Sequence, residues 1–483
     1  MAYGIGLRWF PLALAFAVAG AQDAELAERL LRSGERAYAG KAYAEAVETW
    51  EQLIQQAPRA PQAAQALLKL AHHQLDTLKK PEGALPFLER IKAEHLKTPW
   101  AAEAMLLRGQ ILAERSRGPA EIREALAEFN RVVDLFPDHP LVQEARFQLG
   151  LAFAQQGQWG RALQNFIEAM RLDPASATAR RAQLQAAETL DLLGDGPGCL
   201  RMLQGLRNRF PDSAESAEAA WRIQVRIKER VQKPPLTSQG PWPEGRQKWL
   251  KTPTLLATGP GGELYIFQDD LDRAFQLKDG QLQPAGPVAK GAKGMVVSGS
   301  GQVWLVSPKL GVVKDDSPAA PAAVAVSSPT GASRDAWGNV WVCDGRAVQV
   351  VAPDGTARAL PAGAAVALAA LPTGGAVAAS DTAKALLFLD AEGQTVLTVP
   401  YGKDLPATFK YVVALASDPL GHVAALVDGD FEGVCVWGPD GALLRSATFK
   451  ALGVAGKFRA IALDRQGGLI LADRSNDLLI RID

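Results

Sequence analysis

One feature constrains this chain more than any other: a proline returns at a nearly fixed interval through its first half. Pro58, Pro99, Pro137, Pro174 and Pro211 are separated by 41, 38, 37 and 37 residues. Upstream of each lies a small residue, Ala46, Ala84, Ala125, Ala162 or Cys199. Four positions after each small residue comes a bulky one: Trp50, Leu88, Phe129, Phe166 or Leu203. A small side chain at i and a large one at i+4 share one helix face, a notch beside a knob that lets a neighbouring helix approach closely. The proline cannot continue the backbone ladder, so it ends the second helix of each unit. A period of this length marks one supersecondary unit copied along the chain, which buries its apolar face only by stacking on its neighbours. Residues 22–231 are therefore expected to form an α-solenoid of about five helix pairs. The amphipathic stretch Ser213 to Val231 is its capping helix.

The clearest unit ends at Pro174 and reads VQEARFQLGLAFAQQGQWGRALQNFIEAMRLDP. Its Leu149, Gly150, Phe153, Ala162, Phe166, Ala169 and Pro174 resemble the tetratricopeptide repeat (TPR) pattern, with Gly157 turning the chain between helices. Gly34 and Gly109 match Gly150 in two other units, whereas Ala or His replaces it in the second and fifth. Periods above 34 imply loops longer than the standard repeat. The FPDHP and FPDS segments resemble TPR lipoproteins and cell-envelope coordinators of Gram-negative bacteria. The resemblance implies a concave groove that binds a protein or peptide segment; the alternative is a spacer that carries the next domain. No basic ladder marks the inner helices as a site for a terminal carboxylate.

The first 21 residues read as an address. Arg8 carries the only side-chain charge before Asp23, an apolar run from Trp9 to Val18 follows, and Ala19-Gly20-Ala21 fits the small-x-small rule for signal cleavage. The run is shorter than the roughly 20 apolar residues a bilayer span needs. No lipobox cysteine lies near the cleavage site. A periplasmic or secreted chain with no transmembrane segment after signal cleavage is expected.

Residues 232–246, QKPPLTSQGPWPEGR, break every helical pattern and read as a semi-stiff linker. Beyond it the period switches to the two-residue alternation of strands. GELYIF, GQVWLV, GNVWVC, GAVAAS, GHVAAL and GGLILA begin at Gly262, Gly301, Gly338, Gly375, Gly421 and Gly467. The spacings of 39, 37, 37, 46 and 46 each suit a four-stranded propeller blade. Asp279-Gly280, Asp354-Gly355, Glu392-Gly393 and Asp440-Gly441 supply hairpin turns. Blade two lacks one and carries SPAAPAAVAVSSPTGAS, which leaves its outer strand in doubt. The last segment, ALDRQGGLILADRSNDLLIRID, resembles an NHL repeat, and the resemblance runs over residues 247–483. The chain stops after the third strand of blade six, so Gln247 to Leu250 is expected to supply the fourth and close the ring. The fold class is thus multidomain α and β, an N-terminal α-solenoid of TPR helix pairs followed by a C-terminal six-bladed β-propeller.

Asp269, Asp344, Asp381, Asp428 and Asp473 fall six or seven residues after their blade glycines, in loops that open on one face. Such carboxylates either hold a hard cation such as Ca²⁺ or tie their own loops through backbone hydrogen bonds. Asp428, Asp430 and Asp473 are the metal candidates. Lys309, Arg346, Lys384 and Arg474 share these loops, and the mixed rim of Asp269, Asp344, Arg346, Asp381, Lys384 and Arg474 suits a protein or polar-glycan partner. Trp304 and Trp341 are expected to pack between blades, and Trp337 lies in a turn. Propeller enzymes that use zinc or iron need several imidazoles. Of five histidines only His422 lies in the propeller. No cysteine among Cys199, Cys343 and Cys435 has a histidine beside it to activate a thiol. Lys+Arg 52 against Asp+Glu 52 gives zero formal net charge, which argues against nucleic acid.

These readings favour a non-enzymatic interaction scaffold of the bacterial cell envelope, the groove gripping one partner and the propeller loop face another. The alternatives are a metal-dependent lactonase or lyase at the Asp-rich mouth, or a ligand-sensing propeller.

Overall fold

The computed structural model describes residues 10–115, 122–232 and 234–483, apart from 245–246, 260, 299–300, 309–310, 314–327, 336–337, 353–355 and 373; at 10–23, 115, 229–231 and 311–313 it describes the backbone alone. Eleven helices come first: α1 (Phe10–Ala39), α2 (Tyr43–Gln56), α3 (Pro61–His72), α4 (Pro81–Glu94), α5 (Trp100–Arg115), α6 (Ile122–Leu135), α7 (Val142–Gln155), α8 (Trp159–Leu172), α9 (Ala177–Leu192), α10 (Gly196–Arg209) and α11 (Ala214–Arg226). Of these, α1 pairs with α2, α3 with α4, α5 with α6 and α9 with α10, and α11 packs on α10 as the cap. No helix among the described residues is long and apolar enough to cross a membrane.

The small-then-bulky code sets the packing. Ala46, Ala84, Ala125, Ala162 and Cys199 are all fully buried, and Trp50, Leu88, Phe129, Phe166 and Leu203 are buried beside them. In α5, a Cβ on Gly109 would collide with the Phe129 ring of α6, and Gly34 meets the Trp50 indole in the same way. The first helix must therefore lack a side chain where the second inserts its aromatic. The second helices end two to five residues before their prolines, at Gln56, Glu94, Leu135, Leu172 and Arg209. The longest period, 41 residues, is absorbed in part by a π-helical turn, His73–Thr77, that extends α3, rather than by loop alone.

Two compact units divide the chain, one ending at Ala152 and one running from Phe153 to Asp483. In the first, α3 touches both α1 and α5, so successive first helices line one side of the stack. In the second, α8 packs on α9, α9 on α10 and α11, and the propeller follows.

The propeller has six sheets among the described residues. Blades one, three, four, five and six are four-stranded, and three strands of blade two are described. Their innermost strands, Pro253–Thr258, Gly294–Val297, Gly331–Arg334, Ala367–Ala370, Phe409–Ser417 and Phe458–Leu463, contact one another in sequence, and the last returns to the first. The six glycine-led segments form the second strands, buried on both faces because each blade is covered on both sides. In blade four the positive-φ turn residue is Gly374 (φ 91°) and not Gly375. Trp341 packs with Cys343 of its own blade and with Leu368 and Ala378 of the next; Trp304 packs against Val340 and Val342 of blade three. Trp337, Lys309, the Asp354-Gly355 turn and most of the Ala/Pro/Ser-rich stretch lie outside the described residues.

The ring closes differently from the sequence expectation. Ser238–Pro241, inside the segment read as linker, pairs antiparallel with Leu478–Ile482, Ser238 opposite Ile482 and Pro241 opposite Ile480. Gln247 to Leu250 does not form that strand. Leu250 is buried in the core shared by blades one and six, with Trp249 partly buried beside it. An outer strand tolerates polar SQGP because its far edge is solvated, whereas Trp-Leu is better used inside.

Candidate functional site

Within the second unit, the loops between first and second strands and between third and fourth strands face the helices. Arg465, in the first of these turns in blade six, donates to Glu218 of α11 at 2.9 Å and lies over the Trp221 ring at 5.1 Å. Trp221 donates to the same carboxylate at 2.6 Å, and Arg222 bridges Glu218 and Glu188 at 3.0 Å each. Burial raises the Glu218 pKa, but these donors more than offset it and leave it below the usual carboxylate range. Carboxylates on this face build turns. Asp464 accepts from the backbone of Gln466 and Gly468, and Asp418 from Leu420 and His422. His422 is 1 % exposed, with Nδ1 2.8 Å from Asp418, so the propeller's one histidine belongs to a turn.

The opposite face carries the sequence candidates, and the structure does not gather them. Asp473 is 1 % exposed and accepts backbone N–H groups of Lys457, Ser475 and Asn476 at 3.0–3.3 Å, plus Asn476 Nδ2 at 2.7 Å. Asp344 takes the N–H groups of Arg346 and Ala347 at 3.0 and 2.9 Å. Asp381 accepts from the Tyr401 hydroxyl, and burial, with the Asp381 charge added, pushes that phenol well above its ordinary pKa. Asp269 pairs with Arg474 at 3.0 Å, joining blades one and six. Asp428 is exposed, and Asp430 lies 3.6 Å from Lys410 Nζ. Among the described residues no three His, Cys, Asp or Glu side chains converge as a metal site would require. Lys384 donates to the Lys410 carbonyl at 2.9 Å and lies over Tyr411, whose ring is 53 % exposed. Tyr411 escaped the sequence reading because it lies in an inner strand, where alternation suggested only packing.

The ring axis holds two narrow cavities of about 160 and 80 Å³. Their charged lining residues are all cations, Arg334 in one and Lys293 and Arg459 in the other. Burial pulls the Arg334 pKa down, with Asp335 opposing. Such an axis does not favour a hard cation. The thiols are buried: desolvation raises Cys199 to about 11 and Cys343 to about 12, and Cys435 also upward, so they stay protonated at neutral pH.

The first unit holds a concavity of about 390 Å³ on the side lined by first helices. It is lined by Tyr38 and the buried Trp50, with ring centroids 5.4 Å apart, and by Glu35, Lys69, His72 and Asp76, beside which further polar contacts run between helices. Gln62 donates to Glu28, Lys69 meets Glu35 at 2.8 Å, and His72 Nε2 lies 2.9 Å from Glu103 with Nδ1 3.3 Å from Asp76. The hydrogen bond to Glu103 raises the His72 pKa against burial, and Asp76 adds to it. Sequence reasoning missed these residues. Glu28 and Gln62, and Glu35 and Lys69, are each 34 residues apart, one helical turn short of the 38-residue step from Ala46 to Ala84, so the repeat alone does not align them.

No protein-family model and no curated protein matches the chain. Solved structures do. Over 51 % of this chain and 97 % of its own length, streptogramin B lyase is similar at TM-score 0.36 and 11 % identity. YrrB, described as a TPR protein with an unusual peptide-binding site, is similar over 43 % of this chain and 97 % of its own, at 0.32 and 18 %. PilW, a type IV pilus biogenesis factor, covers 43 % and 94 %, at 0.32 and 19 %. The chain is an α-solenoid of helix pairs followed by a β-propeller with six blades among the described residues.

Proposed function

We propose that this protein is a non-enzymatic interaction scaffold, exported to the bacterial cell envelope, whose helix-pair groove holds an extended segment of a partner protein. The observation that carries the reading is the groove of the first unit. Tyr38 offers an aromatic floor, backed by the buried Trp50, and Glu35, Lys69, His72 and Asp76 offer polar groups that now pair as Glu35–Lys69 and His72–Asp76 and can turn to a ligand. An aromatic floor with a few convergent polar groups is how a peptide site combines affinity with orientation. YrrB's description as a peptide-binding TPR protein accords with this use. The leader-like first 21 residues support export, and the propeller's second loop face, with Tyr411 and Lys384 on it, is the surface for a further partner.

Site-specific photo-crosslinking in the native host tests the reading. A photoreactive phenylalanine derivative at Tyr38 is expected to capture a discrete envelope protein. The same group at the exposed Glu48, on the second helix of that pair, captures none. Identical adduct patterns at both positions, or none at Tyr38, would overturn the groove assignment. Amino-terminal sequencing of the mature chain tests export, with cleavage after Ala21 expected.

A further inference from the structure

A cleft of about 410 Å³ opens within the second unit, between the turns that end α7 and α9 and the loops of blades four and five. We propose that it is a docking site for a partner segment that combines basic and large apolar side chains. Its apolar walls come from Trp159 and Leu192 on the helical side and Pro372, Val396 and Leu397 on the propeller side. Val396 is 66 % exposed and Leu397 36 %, on the outer strand Thr395–Pro400, whose pattern leaves all but Val399 open to solvent. That strand pairs with Ala385–Leu389 on one side only, so its other edge can take an added strand.

The charge of the lining selects the occupant. Four carboxylates line the cleft, and no Lys, Arg or His does. Asp191 pairs through one oxygen with Arg226 at 3.0 Å, both groups 3 % exposed. Asp390, Glu392 and Asp440 stand at the rim without a bridging cation among the ion pairs of the described residues. Asp390 and Asp440 use one oxygen each to accept turn N–H groups of Glu392, Gln394 and Ala442. Arg358 spends a guanidinium N–H on the Ala391 carbonyl at 2.8 Å. Helices α7 and α9 also end here, at Gln155 and Leu192, and helix C-termini add negative potential. A lone apolar ligand would leave that field unanswered, and an acidic one would be repelled. A segment alternating Lys or Arg with Leu places ammonium or guanidinium groups at the rim and aliphatic groups against Trp159 and Val396. This site is separate from the groove of the first unit and holds whether or not that groove is used.

Fluorescence anisotropy of the full chain tests it with three labelled octapeptides: alternating Lys-Leu, alternating Glu-Leu, and all-Lys. The Lys-Leu probe is expected to bind saturably and at least tenfold more tightly than either control, with affinity falling as salt is raised. Glu392→Gln with Asp390→Asn and Asp440→Asn, which keeps the turn acceptors, is expected to weaken it about tenfold. Val396→Ser, on an exposed side chain, should weaken it several-fold with circular dichroism unchanged. Equal binding of the Glu-Leu or all-Lys probe, or no loss in the neutralised variant, overturns the proposal, as does the absence of saturable binding.

Discussion

The notch and knob of the third helix pair can be tested by making each substitution alone and then both together. Phe129 is fully buried, and truncation to Ala at such a site costs about 3–5 kcal/mol. Gly109→Ala alone combines two opposed effects. Replacing a mid-helix glycine gains about 1 kcal/mol of helix propensity. The new methyl, however, would lie within van der Waals overlap of the Phe129 edge, with Cδ1 at 2.8 Å and Cζ at 3.0 Å, and overpacking of this kind costs about 1–3 kcal/mol. The single variant should therefore range from neutral to about 2 kcal/mol less stable. In the Phe129→Ala background the overlap is gone, so Gly109→Ala should stabilise by about 1 kcal/mol and fill part of the void. Hydrogen exchange of α5 and α6 amides in the full chain reads these changes as local opening, with about 1.4 kcal/mol appearing as tenfold in protection. The same Gly109→Ala effect in both backgrounds, within about 0.5 kcal/mol, would refute the idea that these residues were selected as a fitted pair.

Two further outcomes follow from the site geometry. The His72 pKa is raised above its ordinary 6.5 by Glu103 and then Asp76, so its contribution to the α3–α5 contact is complete below 6.5 and is lost as pH rises through the raised value. Intrinsic-rate-corrected amide protection in α3 should fall between pH 5.5 and 8 in the native chain and stay flat in His72→Gln; parallel profiles would sink the assignment. Asp473→Ala removes the buried acceptor of the partly buried donors on Lys457, Ser475 and Asn476 and should cost about 1–3 kcal/mol in chemical unfolding of the propeller. Added Ca²⁺ should leave wild type unchanged, whereas a calcium-dependent rise in wild-type stability that the variant loses would make Asp473 a metal ligand.

Burial repeats along a stacked or ringed fold, and what repeats is legible. Ala125 and Phe129 could be placed because Ala162 and Phe166 obey the same spacing, and the second strand of each blade announced itself by a glycine followed by apolar residues with no polar interruption. The closing strand had no such copy. SQGP resembles a linker because an outer strand needs neither alternation nor bulk, and only its pairing with Leu478–Ile482 defines it. The sites were harder for the same reason. Glu218 and Arg465 are 247 residues apart, and nothing local in either segment encodes their contact. Glu35 and Lys69 lie between these cases. Their 34-residue spacing recurs in Glu28 and Gln62 but is about a turn short of the repeat step, so the contact is read only once the helices are stacked.

The propeller loops show why acidic residues were a poor guide to chemistry. A strand leaving one blade turn with its backbone N–H groups unpaired needs an acceptor, and a short carboxylate two to four residues away supplies it without added chain. Asp335, Asp418 and Asp464 do this on the face toward the helices, and Asp344 and Asp473 do it on the other. Their recurrence in blades three, five and six therefore reflects a demand of the backbone that returns with the blade turn. A ligand site, by contrast, breaks the symmetry of the ring. The groups that do so are Arg465, used for Glu218 and Trp221, the cation-free rim of Asp390, Glu392 and Asp440, and the Lys384–Tyr411 pair. Arg465 ties one blade to the capping helix through a charge pair and a ring face at once, so the helices seated on that face, and the cleft beside them, keep a fixed geometry. A partner proposed for the opposite face would meet Tyr411 and Lys384 rather than Asp344 and Asp473, which already serve backbone amides.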